Sequence, residues 1–157
     1  MQVRNQIRLR VEELGARIVP ATVLPLTGTH AFSATLTAQA TPPASVTGSI
    51  GGRLLQGSLS LAVMPTTPPS INPVDFTGVL TITTRRGSVT MQGMGNVDMQ
   101  AGTFIDTGTI LGGTGRFRGV SGRFTSQGSF NVVTNSLNGT ITGIISGAHH
   151  RQHPQHP

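Results

Sequence analysis

Apolar residues in this chain recur at every second position more often than at helical spacing, and Gly, Pro and Asn cut the alternation into short pieces. Residues 31–40 put Phe32, Ala34, Leu36 and Ala38 on one face, and Thr41-Pro42-Pro43 ends the run because proline cannot donate to a ladder. The pattern resumes over 49–63, broken by Gly51-Gly52 and Gly57, with Leu59, Leu61 and Val63 aligned. Residues 76–85 predict a strand, Arg85-Arg86-Gly87 a hairpin turn, and 88–99 the returning strand. Residues 103–111, 119–133 and 139–146 predict three more strands, with a turn at 135–138 before the last. Residues 64–73 hold Pro65, Pro68, Pro69 and Pro73 and predict an exposed loop, a candidate lid or insertion.

The start of the chain supports two readings. Val3, Ile7, Leu9 and Val11 alternate with Arg4, Arg8 and Arg10, which favours a strand with one solvated face. Glu12-Glu13-Leu14-Gly15 would equally end a short helix at a glycine cap. The strand is the preferred reading, and an arm that pairs with a neighbouring subunit stays open. The chain then divides into an N-terminal arm or first strand (1–25), a β-domain (26–147) and a His/Pro-rich tail expected to be disordered (148–157). About seven or eight short strands, spaced roughly 8–12 residues apart without helices between them, indicate an all-β barrel or sandwich. Thr-rich strands interrupted by Gly favour the barrel, because strongly curved strands need glycine where they bend. A barrel of eight strands can hold one small ligand.

Between two of these strands lies Leu111-Gly-Gly-Thr-Gly-Arg-Phe-Arg-Gly-Val-Ser-Gly-Arg-Phe124, a glycine-built corner. A phosphate-loop reading fails on two counts: the Lys-Ser/Thr ending is missing, and a strand rather than a helix follows.

Composition narrows the functional classes. The chain has 157 residues, enough for one domain with one core, and only 10% are charged, which argues against disorder. It has no Cys, so neither disulfides nor thiol chemistry arises, and no Trp or Tyr, so six Phe carry all aromatic packing. The net charge of +6 comes entirely from Arg, but the arginines are scattered in sequence. With no basic run and no aromatic platform, the pattern argues against nucleic-acid binding. No apolar run approaches the roughly 20 residues of a membrane-crossing helix, and no membrane partner is expected. The first residues are not a secretory signal, so a native start at Met1 would place the chain in the cytoplasm. His149, His150, His153 and His156 invite a metal reading, but nothing preorganises them; His30 stands alone. Neither a metal nor a cofactor is expected.

Two strands carry candidate chemistry. In 103–111, Phe104, Asp106, Gly108 and Ile110 share a face. Turned into a lumen, Asp106 would be an acid among apolar groups, with a raised pKa and the makings of a general acid. Turned outward, it is an ordinary surface carboxylate, and burial statistics favour that placement. In 119–133, Val120, Phe124, Phe130 and Val132 share one parity; Ser121, Arg123, Thr125, Gln127 and Ser129 share the other. Burial statistics favour the apolar set as core. The reverse would place Arg123 and Gln127 inside, where an arginine could hold a carboxylate or enolate.

The corner, Ile110-Leu-Gly-Gly-Thr-Gly-Arg-Phe-Arg-Gly119, resembles the V-V-G-G-T-G-x-F segment of plant dirigent proteins. With Val120-Ser121-Gly122 it also resembles the G-G-S-G-x-F-x-G-V-x-G segment of allene oxide cyclases and of bacterial barrel proteins carrying G-T-G-R-F-x-G. The specific likeness covers the corner, with a looser one over 76–146. It implies an eight-stranded antiparallel barrel of the allene oxide cyclase and dirigent type, commonly a homotrimer. It further implies a lumen that binds an apolar small molecule and steers cyclisation or radical coupling without a cofactor, the bacterial relatives including cyclases of natural-product pathways. The dirigent arginine falls at Ser121 of this chain, and the cyclase glutamate has no counterpart, since Glu12 and Glu13 lie outside the matched region.

Three functions compete. A cofactor-free cyclase or isomerase, with Asp106 and Arg123 as catalytic candidates and Phe104, Ser121 and Gln127 as ligand contacts, requires an open apolar lumen. A non-catalytic carrier of lipophilic ligands, or a self-assembling structural barrel, fits the missing family residues. Anion or nucleic-acid binding through arginine would weaken steeply with salt.

Overall fold

The computed structural model describes residues 23–41 and 44–147. The strand-or-helix reading of 2–19, most of the N-terminal arm and the His-rich tail lie outside these residues.

Eight antiparallel strands close into one barrel: β1 (Thr29–Thr41), β2 (Ser45–Gly52), β3 (Gly57–Pro65), β4 (Val74–Thr84), β5 (Gly87–Asp98), β6 (Thr103–Gly113), β7 (Ser121–Asn131) and β8 (Ser136–Ser146). Each strand pairs with its neighbours in sequence, and β8 pairs with β1 to complete the ring. Closure leaves no free sheet edge. The apolar parities of the sequence become the inner wall: Phe32, Ala34 and Ala38 of β1 and Phe124 of β7 are buried. The stretch 49–63, read as one alternating run, is two strands, because Arg53–Gln56 turns the chain between β2 and β3.

The loop read as 64–73 is shorter than expected and is tied down. Met64 and Pro65 still belong to β3, with Pro65 paired to Phe76. Beyond them Asn72 donates its amide to Asp98 (2.9 Å) and accepts from the Met99 N–H (2.7 Å), which links this loop to the β5–β6 turn. These bonds argue against a free lid.

Glycines decide how the wall packs. Gly78, Gly93 and Gly108 face one another across β4, β5 and β6, and the row continues through Phe124 and Gly143 to Phe32. A Cβ on Gly93 would come 3.0 Å from Phe124 Cζ, and one on Gly143 would come 2.8 Å from the Phe32 ring. The aromatic rings therefore occupy volume that side chains on the facing strands would have taken.

The glycine corner closes one end. At Thr90/Met91 the β5–β6 register shifts, which leaves Leu111 as the extra residue of a bulge with 56% of its surface exposed. The chain then makes a 3-10 turn, Gly115–Phe117, that drives Phe117 into the barrel end. Gly115 has φ +56 and its Cβ position is filled by the Arg86 carbonyl, so backbone packs on backbone there. Leu26 caps the same end, its N–H donating to the Arg116 carbonyl (2.7 Å).

Candidate functional site in the open half of the lumen

The lumen has two unlike halves. At the closed end Leu55, Ile82, Val89, Met91, Phe117 and Ile145 are at most 1% exposed and fill the interior. Toward the other end, where the β1–β2, β3–β4, β5–β6 and β7–β8 connections lie, the interior opens as a cup of about 290 Å³. Its walls include Leu36, Leu59, Leu80, Phe104 and Ile141.

Among the described residues, one ionisable group lines this cup. Asp106 of β6 points inward with 7% of its surface exposed. The outward placement favoured by burial statistics is therefore overturned. Phe104 and Ile110 on the same face are buried, while Ile105 and Leu111 on the other stay exposed. The requirement for Gly108 in the glycine row fixes the parity of the strand, and the acid is carried inward with it. Opposite Asp106 on the two neighbouring strands are Gly95 and Ser126. The glycines leave space over the carboxyl, since a Cβ on Gly93 would sit 2.5 Å from Asp106 Oδ1.

The electrostatics follow from that placement. Desolvation pushes the Asp106 carboxyl from its ordinary 3.8 up to about 7, against the smaller effect of the Ser126 hydroxyl, whose hydrogen bond favours the ionised form. Oδ1 has no hydrogen-bond partner. Near neutral pH the group can hold or release a proton, and its unpartnered oxygen can serve a guest in the cup.

The other candidate residues divide. Phe104 lines the cup beside Asp106. Arg123, Ser121 and Gln127 are exposed on the outer wall and do not converge on the lumen. Arg123 stands opposite Thr109 and Ile144, Gln127 opposite Ile105 and Thr140, and Ser121 opposite Ser146; of these only Ser146 is half-buried, and the rest are exposed outer-face residues. A lumenal role for Arg123 would have required the apolar parity of β7 to face water. Ser126 went unnoticed in the sequence. Its signal was a polar residue interrupting the even-numbered apolar set between Phe124 and Phe130. His30 is exposed, with Nε2 2.7 Å from the Thr27 carbonyl. Among the described residues no group of three His, Cys, Asp or Glu could hold a metal ion, and no helix is long and apolar enough to cross a membrane.

Comparison of the chain with models of known families, with curated proteins and with solved structures finds no match.

Proposed function

We propose that the barrel binds a small apolar molecule in its open half and that Asp106 acts on it as a general acid, steering a cyclisation or isomerisation without a cofactor. The observation that carries this reading is the inward Asp106 with an unpartnered Oδ1 in an otherwise apolar cup. A proton on Oδ1 would meet a carbonyl, ether or epoxide oxygen of the guest and stabilise charge developing there. Ser126, donating to the carboxyl, orients it. The apolar walls leave little water around Asp106, which strengthens the effect of a single acid there. Likeness of the glycine corner to allene oxide cyclases and dirigent proteins supports the same reading and adds the proposal of a homotrimer, which light scattering would test.

A carrier function is the second reading. It is favoured by the position of Arg123 on the outer wall, which leaves Asp106 without a second ionisable group in the cup among the described residues.

The test begins with binding of a neutral solvatochromic dye. Val97 lines the cup and is half-buried. Val97→Phe is expected to weaken the dye by about tenfold or more, roughly 1.4 kcal/mol. Asp106→Asn is expected to keep binding and abolish turnover of neutral oxygenated lipophiles. Turnover that survives this change removes Asp106 as the acid, whereas dye binding with no turnover of any such lipophile by the unaltered chain favours the carrier; dye binding indifferent to Val97→Phe removes the cup as the site.

A further inference from the structure

The charged residues of the barrel are sorted by end. Arg53 lies between β2 and β3, Arg85 and Arg86 between β4 and β5, Arg116 and Arg118 between β6 and β7, and Arg123 near the start of β7. All six are at the closed end. Asp75, Asp98 and Asp106 belong to the open half, at the start of β4, at the end of β5 and in the outer part of β6. Five of these arginines are exposed and Arg116 is half-buried. The described chain also enters at this end through Val23 and leaves there at Gly147. Outside the described residues the sequence holds Arg4, Arg8, Arg10, Arg17 and Arg151 and the acids Glu12 and Glu13. The six described arginines look scattered along the chain and are gathered in space.

The closed pole is also amphipathic. A surface cleft there is lined by Arg86, Arg116 and His30 together with Val23, Leu24 and Pro25. Backbone bonds hold the two arginines together: the Arg116 N–H donates to the Arg86 carbonyl at 2.8 Å. Leu24 is 77% exposed and Leu111 56%. Guanidinium forks match phosphate oxygens, and exposed aliphatic groups beside them match the acyl boundary below a headgroup. A nucleic acid would find the arginines but no exposed Phe on which to stack a base, and Leu24 would stay in water.

We propose that the closed pole docks on an anionic phospholipid surface, with Arg86 and Arg116 on headgroup phosphates and Val23 and Leu24 at the acyl boundary. Nothing crosses the bilayer, and the mouth of the cup faces away from it. The proposal does not depend on what the cup binds.

The test is sedimentation of the full chain with phosphatidylcholine vesicles, with and without phosphatidylserine. Binding is expected only with phosphatidylserine and is expected to be lost in about 1 M salt, where the Debye length is about 3 Å. At roughly a fivefold change in partitioning per basic residue near such a surface, Arg86→Gln with Arg116→Gln is expected to weaken it by about 25-fold. Leu24→Ser is expected to weaken it further, without changing the melting temperature. Three results would overturn the proposal: no binding to the anionic vesicles; binding lost when Arg4, Arg8, Arg10 and Arg17 are replaced but unchanged by the Arg86/Arg116 pair; or binding of duplex DNA, dependent on that pair, without vesicle binding.

Discussion

The same eight strands build two opposite interiors. At the closed end, Phe117, Leu55 and Met91 leave no exposed surface worth the name, and the corner and Leu26 seal them in. In the open half, Leu36, Leu61, Val63, Val97 and Phe130 are only half-buried because the space between them is unfilled. The first arrangement gains burial and dispersion energy; the second gives some of it up and places an acid where water is scarce. The contrast suggests that stability is drawn from one end and chemistry from the other, in keeping with the usual conflict between a site and the fold that carries it.

That contrast can be broken most forcefully at Phe117. Phe117→Ala is expected to destabilise the barrel by about 3–5 kcal/mol, read as a lowered urea midpoint. Phe130→Ala in the cup should cost clearly less, since the ring is already half-exposed to it. Equal costs would mean that the two halves are energetically alike.

The next largest effect concerns pH. The Asp106 carboxyl titrates near 7 in the fold and near 3.8 in the unfolded chain. Between those values the folded state holds the extra proton, so stability falls as pH rises and levels off above about 7. Three pH units correspond to roughly 4 kcal/mol, an upper figure because the cup admits some water. Asp106→Asn should therefore raise the melting temperature at pH 8 and leave it unchanged at pH 4. Turnover, if Asp106 is the acid, should decline as pH rises through about 7.

Gly93→Ala sharpens the comparison from the wall. Its methyl would meet Asp106 Oδ1 and Phe124, and overpacking of this kind costs about 1–3 kcal/mol. Dye binding should weaken along with stability. The smallest effect is expected at the rim. The Ala101 N–H and the Asn72 amide hold the Asp98 carboxyl below its ordinary value. That contribution is present above pH 3.8 and is lost as pH falls through the folded value. Asn72→Ala should reduce stability slightly at neutral pH and leave acid unfolding less steep.

Much of the fold was legible in the sequence. Period-two alternation, Gly and Pro punctuation and the absence of helical spacing indicate an antiparallel barrel or sandwich, Thr-rich strands bent at Gly favour the barrel, and six of its strands fall close to their expected places. The 49–63 run was misjudged because Gly51, Gly52 and Gly57 read as bends within a strand, when Arg53–Gln56 is the turn. The site was half legible. Phe104, Asp106 and Ile110 plainly share a face, but which face is inner depends on the Gly78–Gly93–Gly108 row, a relation among three strands that no single stretch reveals. Arg123 could be proposed for the lumen only while the parity of β7 was open. The clustering of arginines at one pole was invisible for the same reason: turns far apart in sequence meet at one end of a barrel.

The central claim, a protonatable acid in an open apolar cup, is tested most directly by following the Asp106 carboxyl carbon by NMR across a pH titration. The account predicts a midpoint near 7 that rises when Ser126 is replaced by Ala and moves when a lipophile fills the cup. A midpoint near 4, unmoved by either change, would mean that Asp106 is solvated and that the cup holds no acid.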